Sequence, residues 1–363
     1  MNKEAKKLQL LFASTPVGAL GSGLGGGVEL TLKNFAEELQ RRGHQIKIIA
    51  PKDSRLQGFP VKEIEGSLQI AAQTQKRDNP IILPENSVLE QMWDYARTVQ
   101  DRFDLIVNFA YDWLPFYLTP FFTCPIAHLV SMGSLTTAMD RAIAETWRVF
   151  PETLAFYSRA QAETFPEIVN PRCLSSAIAL EKYQFCEQPD NTLAWVARIS
   201  PEKALEDAVL ASQKTGIPLQ IFGKIDRQDY WQQIQDRYPN APIEHQGFLS
   251  TEELQAQLGK CRALLMTPRW TEAFGNAAIE ALACGVPIIA YKRGGLVEIV
   301  REGRTGFLVE PDSVEGLIAA IERIDECDRA ACRQQAEREY SLQALGDRLE
   351  AWLYDIVEAR RTT

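Results

Sequence analysis

Short apolar segments alternate with longer amphipathic segments along this chain. The apolar segments predict β-strands at 8–13, 45–50, 105–109 and 126–130, and again at 193–199, 219–223, 263–267 and 288–291. The amphipathic segments 28–42 and 88–102 predict helices in the first set, and further helices lie between the strands of the second set. Such alternation is typical of βαβ units, in which helices cover a parallel sheet. We therefore predict an α/β protein with two parallel sheets.

A polar, turn-rich segment at 187–191 separates the two sets of predicted strands. We accordingly predict a first domain at 1–187 and a second domain at 188–340. The remaining segment, 341–363, carries apolar side chains at helical spacing, which predicts an amphipathic helix that packs against a domain. These side chains are Leu345, Leu349, Trp352, Leu353 and Ile356.

Composition limits the classes of function. With 363 residues, 45% of them hydrophobic, the chain is long enough for two domains that each bury a core. A net charge of -9 without runs of Lys or Arg excludes a nucleic-acid surface. The seven cysteines are scattered and contain no Cys-x-x-Cys pair, so we expect neither a disulfide framework nor a zinc site. The apolar segment 8–13 is too short for a signal peptide or a membrane span, and we expect a soluble, cytoplasmic protein.

Two carboxylates flank a predicted strand-to-helix junction in the second set. A buried strand at 263–267 leads into a loop with Glu272, and a helix begins near Gly275 and carries Glu280. The first turn of a helix has unpaired N–H groups that suit a phosphate, and glycine lets the phosphate approach the backbone. Glu272 can then accept hydrogen bonds from a sugar and Glu280 from a ribose, although a solvated or capping role remains open for Glu280. The spacing predicts a sugar-nucleotide site.

The segments around this junction resemble a known family. Glu272, Glu280, the segment 283–290 and the glycine pair Gly294-Gly295 together resemble the donor-binding half of the retaining glycosyltransferases of family 4, most strongly from about 193 to 311. The resemblance implies the GT-B fold: two Rossmann-like parallel-sheet domains face each other across a cleft. The first domain would bind the acceptor, the second would bind the nucleotide-sugar donor, and the C-terminal helix would cross back to the first. It also implies donor-binding roles for Gly26, Gly27, Gly223, Phe248, Phe274, Gly275, Asn276, Ala277 and Glu280.

The resemblance further implies a set of catalytic residues. Arg198 and Lys203 resemble the family's cationic pair, which neutralises the diphosphate as it leaves. Glu272 holds the transferred sugar, and His128 matches a family histidine that reaches that sugar, although a lone strand histidine is more often a core residue. Retention would proceed by front-face attack, in which a donor phosphate oxygen takes the proton of the acceptor. Because no Asp-x-Asp follows an apolar strand, we predict no metal, and no cofactor besides the donor substrate.

The glycine-rich segment 21–26 also has the Gly-x-Gly-x-x-Gly spacing of a dinucleotide-binding turn. Two features argue against NAD. Residues 14–20 separate the strand from the first glycine, and Pro51-Lys52 stand where an acid for the ribose is expected. The segment better fits a flexible glycine loop that leads into the helix at Val28 and covers phosphate or the acceptor side, or one that is merely mobile.

The segment 109–122 holds seven aromatic residues in fourteen positions. Tyr111 and Trp113 are candidates for stacking on a planar acceptor, and Asp112 for pairing with its ring N–H groups. This segment and the chain as a whole resemble the pteridine glucosyltransferases, which implies transfer of glucose from UDP-glucose to a reduced pterin such as tetrahydrobiopterin. The segment 175–180 departs from the family's usual Asn-Gly, which leaves acceptor or hinge contacts there open.

Alternatives to this assignment are a different small or lipid acceptor, a nucleotide-sugar epimerase and a non-catalytic nucleotide-sugar sensor. The balanced charges of the helix at 28–42 argue against a membrane acceptor.

Overall fold

The structure is a computed structural model that describes residues 6–362, with side chains described as far as 360. The chain divides into two compact units. One unit runs through Ser176 and takes up the chain again at Leu342, and the other comprises Ala177–Ser341. Residues 177–187 therefore group with the second unit, rather than with the first domain as we predicted. The reason is that the N–H of Ile178 donates to the carbonyl of Tyr340 at 2.9 Å and the hydroxyl of Tyr183 donates to Glu280 at 2.9 Å.

The first unit contains a six-stranded parallel sheet. Its strands are β1 (Gln9–Ala13), β2 (Gln45–Pro51), β3 (Val61–Ile64), β4 (Leu105–Asn108), β5 (Ile126–Val130) and β6 (Leu154–Phe156), in the order β3-β2-β1-β4-β5-β6. Its helices are α1 (Gly27–Arg41), α2 (Val88–Val99), α3 (Trp113–Leu118), α4 (Thr137–Val149) and α5 (Arg159–Ala162). This is the strand order of a Rossmann-like sheet.

Both faces of this sheet are covered. Leu11, on β1, packs in a cluster with Trp93 of α2, while Phe12 contacts Phe109 with 5.1 Å between ring centroids. Phe35 of α1 meets the same Phe109 ring at 5.7 Å. Burial on both faces explains why the central strands are continuous apolar runs rather than alternating ones.

The C-terminal helix α13 (Leu342–Thr362) belongs to the first unit. Its apolar stripe, including Leu349 and Trp352, is fully buried. The indole N–H of Trp352 donates to the carbonyl of Glu152 at 2.8 Å. Glu350 pairs with Arg42 at 2.6 Å and with His44 at 2.8 Å, which ties the helix to the end of α1.

The second unit repeats the arrangement. Its strands are β7 (Leu193–Val196), β8 (Leu219–Phe222), β9 (Ile243–Gly247), β10 (Ala263–Met266), β11 (Ile288–Tyr291) and β12 (Gly306–Val309), in the order β12-β11-β10-β7-β8-β9. Its helices are α6 (Leu205–Thr215), α7 (Gln228–Arg237), α8 (Thr251–Leu258), α9 (Asn276–Ala283), α10 (Leu296–Ile299), α11 (Val314–Arg323) and α12 (Arg329–Glu339). The strands of this sheet are again all parallel.

The predicted fold class is confirmed: the protein is α/β with two six-stranded parallel sheets and Rossmann-like topology. In the part of the chain that the structure describes, no helix is both long enough and apolar enough to cross a membrane.

Candidate functional site

The second unit brings Lys203 and Glu272 together at one point of its sheet. Lys203 follows β7 and Glu272 follows β10, and these neighbouring strands flank the point where the strand order reverses, which is where open α/β sheets bind ligands. The Lys203 ammonium lies 2.5 Å from Oε2 of Glu272. Trp270 donates its indole N–H to the same oxygen at 3.0 Å, and the ammonium lies 4.6 Å from the centroid of the Trp270 ring. The three side chains form one compact cluster.

The cluster sets the charge of Glu272. Burial alone raises the pKa of this carboxyl, but the Lys203 ammonium, the Trp270 N–H and the more distant Arg198 outweigh it and lower the pKa. Glu272 is therefore an ionised acceptor of hydrogen bonds at neutral pH. Its side chain is only 15% exposed, so a hydroxyl that reaches it meets little competition from water.

Lys203 is held by a residue that sequence analysis missed. The Thr267 hydroxyl, at the end of β10, lies 3.0 Å from the carbonyl of Lys203 and 2.9 Å from that of Ala204. Trp195 of β7 donates its indole N–H to the same hydroxyl at 3.2 Å. The turn after Lys203 is tight, since Ala204 has a φ of 46°. A threonine at the end of an apolar strand was the only signal for this role in the sequence.

Arg198 lies beside this cluster but is already paired. Its guanidinium donates to Asp226 at 2.8 Å and to Glu202 at 3.3 Å, and its side chain is 39% exposed. A phosphate would have to share the guanidinium with these carboxylates. The forked shape of the group makes such sharing feasible.

Glu272 is also fixed through its backbone. The N–H of Gly295 donates to the carbonyl of Glu272 at 2.8 Å. A Cβ on Gly294 would lie 2.1 Å from that carbonyl oxygen, so only glycine fits there. The predicted glycine pair therefore packs directly against the backbone of Glu272 and holds it in place.

Helix α9 begins directly after this loop, as predicted. Gly275 is its N-cap with a φ of 105°, and Asn276 and Ala277 form its first turn. Phe274 is buried and contacts the ring of Tyr340 at 5.9 Å. The Oδ1 atom of Asn276 is buried and has no hydrogen-bond partner within residues 6–362. The N–H groups that open a helix have no intrahelical partner, and the start of α9 places such groups within a few residues of Glu272.

Glu280 lies two turns further along α9. It accepts a hydrogen bond from the Tyr183 hydroxyl at 2.9 Å. Burial raises the pKa of Glu280 to about 7, against the opposing effect of the Tyr183 hydroxyl. The structure therefore argues against the alternative of a solvated or capping carboxylate.

The remaining predicted donor residues of the second unit lie at the β8 and β9 ends. Gly223 follows β8, and a Cβ there would lie 1.9 Å from the carbonyl oxygen of Ala197. Phe248 follows β9 with 66% of its surface exposed, and the Lys224 ammonium lies 4.8 Å from its ring centroid. Both positions follow strand ends on the same sheet as Lys203.

Gly26 and Gly27 belong to the first unit, where they end a glycine loop and begin α1. This loop wraps around the carboxylate of Glu29. The N–H groups of Gly21 and Gly23 donate to Oε2 at 2.7 and 3.2 Å, and that of Gly25 donates to Oε1 at 2.7 Å. The loop therefore has a defined shape and holds an anion from its own chain, a role of Glu29 that sequence analysis did not identify.

Tyr111, Asp112 and Trp113 lie together beyond β4 and line a common cavity that is open to solvent. The Tyr111 hydroxyl donates to the carbonyl of Gly133 at 2.9 Å, and burial raises its pKa. Trp113 stacks on Tyr117 with 4.4 Å between centroids, so one of its faces is already used. Burial raises the pKa of Asp112, while Gln69, which donates to it at 3.0 Å, lowers it.

The structure does not support the catalytic role that we predicted for His128. The ring is fully buried and stacks on Phe116 at 4.3 Å. Its Nδ1 lies 3.2 Å from the Asn108 amide nitrogen and its Nε2 lies 2.8 Å from the Thr119 hydroxyl. Burial lowers the pKa of the ring to about 3, so it stays neutral. With both nitrogens occupied and no exposed surface, His128 is the core residue of the alternative interpretation.

Ser131 and Met132 directly follow β5, and both line a cavity together with Tyr111 and Asp112. Neither was singled out from the sequence.

Comparison with known proteins gives a family match for most of the second unit. Residues 181–340 match the family described as glycosyl transferases group 1. A glycogen synthase of Mycobacterium tuberculosis is 27% identical over 256 residues, which cover 62% of this chain and 61% of that protein. A D-inositol 3-phosphate glycosyltransferase of Mycobacteroides abscessus is 34% identical over 144 residues, or 36% of this chain and 31% of that protein. The matches to these relatives thus span about three fifths of their length or less.

Solved structures extend the likeness to the whole fold. The Anabaena protein HepE, crystallised with UDP and glucose, superposes with a TM-score of 0.75 over 96% of this chain and 99% of its own, at 17% identity. The sucrose-phosphate synthase of Thermosynechococcus elongatus gives a TM-score of 0.75 over 98% of this chain and 100% of its own, also at 17% identity. Residues 181–340 thus match the glycosyl transferases group 1 family, and the chain as a whole has the GT-B fold.

Proposed function

We propose that this protein is a retaining glycosyltransferase that moves a hexose from a nucleotide sugar to a small acceptor. The observation that carries the proposal is the cluster of Lys203, Glu272 and Trp270 at the strand switch point. It lies just before the start of α9, in the segment that matches the glycosyl transferases group 1 family.

In this mechanism the second unit binds the donor. The Lys203 ammonium and the Arg198 guanidinium neutralise the diphosphate as the anomeric bond breaks. Ionised Glu272 accepts hydrogen bonds from the sugar, and the N–H groups at the start of α9 meet a phosphate. Glu280 accepts from the ribose.

The proposed chemistry needs no protein nucleophile. A phosphate oxygen of the donor takes the proton of the attacking acceptor hydroxyl on the same face that the diphosphate leaves, which retains the anomeric configuration. Metal independence is part of this proposal, since Lys203 and Arg198 would carry the charge compensation.

Our best candidate for the donor is UDP-glucose. HepE has been crystallised with UDP and glucose and also with UDP-glucose, which supports testing this donor first. Our best candidate for the acceptor is a reduced pterin such as tetrahydrobiopterin, because Asp112 and Trp113 line a cavity beside an aromatic segment.

The proposal is tested by incubating the protein with EDTA and with UDP-glucose, GDP-mannose or ADP-glucose, each with and without tetrahydrobiopterin. Nucleoside diphosphate release and product mass are measured. We expect acceptor-dependent UDP release and a pterin heavier by one hexose.

Lys203→Ala should lower this rate on the order of 100-fold or more, since it removes a preorganised partner of the leaving group. Lys214→Ala, at the exposed end of α6, is the matched control and should keep the wild-type rate. Equal rates in the two variants would contradict the role of Lys203. A hexose isomer in the donor pool would instead indicate an epimerase, and binding without turnover of any acceptor would indicate a sensor.

A further inference from the structure

A segment of the first unit whose regular structure is a single 3-10 turn at Ala72–Thr74 covers the cavity beside Asp112. We call residues 69–82 the strap. Seven of the thirteen residues that line this cavity belong to the strap, so it forms more than half of the wall. The strap also borders a second cavity, which shares Ala72, Tyr111 and Asp112 with the first.

Hydrogen bonds attach the strap to the rest of the first unit at its start and again at Arg77. At its start, the N–H of Gln69 donates to the carbonyl of Pro16 at 3.1 Å. Further along, the Arg77 guanidinium donates to Asp140 at 2.5 Å and to the Ser134 hydroxyl at 2.9 Å. The N–H of Thr137 donates to the carbonyl of Arg77 at 2.9 Å. These contacts fix the strap to the start of α4, so its side chains have defined positions over the cavities.

Gln69 connects the strap to the predicted acceptor carboxylate. The residue is 8% exposed, and its amide nitrogen donates to Asp112 at 3.0 Å and to the carbonyl of Ile82 at 3.4 Å. Gln69 therefore joins the start of the strap, its end and Asp112 through one side chain.

Three oxygen atoms around the two cavities are buried without a hydrogen-bond partner among the residues that the structure describes. They are Oε1 of Gln69, Oε1 of Gln73 and Oγ of Ser131. Gln69 lines the first cavity, and Gln73 and Ser131 line the second. Together with the Asp112 carboxylate, the two glutamine oxygens present acceptor atoms, and the Ser131 hydroxyl can both accept and donate. A complementary ligand is therefore one that donates several hydrogen bonds.

We propose that the strap is the acceptor-specificity element of this protein, and that Gln69 positions Asp112 for a small planar ligand with N–H or O–H donors along its edges. This inference rests on the proposed function and deepens it. It assigns the selection of the acceptor to residues 69–82 rather than to the aromatic segment after β4 alone.

The test uses the full chain and isothermal titration with tetrahydrobiopterin, biopterin and guanine as planar donor-bearing probes, and with UDP as the probe for the other unit. Gln69→Leu replaces the amide with an apolar side chain that is one atom shorter, and it removes the hydrogen bonds of Gln69. We expect at least a tenfold weaker affinity for the pterin probe and an unchanged affinity for UDP. Gln40→Leu, at the exposed end of α1, is the matched control and should change neither.

A pH series separates positioning from a general structural defect. The Gln69 hydrogen bond lowers the pKa of Asp112, so Gln69→Leu should move the pH dependence of probe binding to higher pH. Arg77→Ala, which loosens the strap outside the cavity, should weaken probe binding without that displacement.

The binding results distinguish failure of the strap proposal from failure of the proposed function. Unchanged probe affinity in Gln69→Leu overturns the role of the strap while the proposed function stands. Failure of all three planar probes to bind the wild-type protein overturns the ligand class. Failure of UDP to bind overturns the proposed function itself.

Discussion

At neutral pH, Glu280 is close to half protonated, because burial raises its pKa to about 7. In the unfolded chain a glutamate titrates near its ordinary value of about 4.3. The folded state therefore binds this proton more tightly, and its contribution to stability is complete below the unfolded pKa. That contribution is lost as the pH rises through about 7. A difference of this size corresponds to roughly 4 kcal/mol at most.

We predict that the melting temperature of the wild-type protein falls between pH 5 and pH 8 by several degrees more than that of Glu280→Gln. The glutamine cannot ionise, so the variant lacks this linkage. Thermal melts followed by circular dichroism across the range measure the difference. Parallel curves for the two proteins would show that Glu280 does not titrate in this interval. Tyr183→Phe removes the donated hydrogen bond and should steepen the dependence.

At the scale of single elements, the glycine loop shows how a carboxylate can shape a segment that lacks secondary structure. Glu29 accepts from three backbone N–H groups, and a Cβ on Gly25 would lie 2.8 Å from the Glu29 side chain. The amide of a glutamine has one oxygen and cannot hold all three groups.

We predict that Glu29→Gln speeds hydrogen exchange at Gly21, Gly23 and Gly25 at least tenfold, with less than about 1 kcal/mol lost in global stability. Exchange followed by mass spectrometry measures this effect. Glu37→Gln lies on the same helix, where Glu37 has a 3.8 Å contact with Lys33, and should leave the loop unchanged. Unaltered exchange in Glu29→Gln would mean that the glycine backbone alone defines the loop.

The elements also show what the sequence could predict. All eight strands predicted from apolar runs are present, because strands buried on both faces need such runs. The edge strand Val61–Ile64 escaped prediction because only Ile64 of its four residues is buried. Leu154–Phe156 escaped because three residues are too few to show a pattern.

The sequence likewise predicted some residues of the candidate site and missed or misassigned others. Glu272 and the start of α9 were predicted from the motif at a strand-to-helix junction, whereas Lys203 was predicted from the family resemblance alone. His128 was misassigned, because an apolar strand does not reveal that Asn108 and Thr119 occupy both ring nitrogens. The strap was missed because its contacts with Asp112 and Asp140 join residues far apart in the chain.

At the scale of the whole molecule, the two units repeat one topology, and each places its candidate residues at the same point of it. In the second unit Lys203 and Glu272 follow β7 and β10, and in the first Asp112 follows β4, the neighbour of β1. Each of these strand pairs flanks the reversal of strand order in its own sheet. The two units thus place different candidate side chains at equivalent points of one topology.

The division into two units, with α13 returning to the first, predicts separate effects on unfolding. Trp352 of α13 is fully buried within the first unit, and Trp231 of α7 is 7% exposed within the second. Truncating a buried tryptophan to alanine costs about 3–5 kcal/mol. We expect Trp352→Ala to lower the melting transition of the first unit while a UDP-dependent transition of the second unit remains, and Trp231→Ala to do the reverse. Calorimetry with and without UDP distinguishes the transitions, since a ligand stabilises only the unit that binds it. If both variants lower one common transition equally, the two units unfold as a single cooperative body.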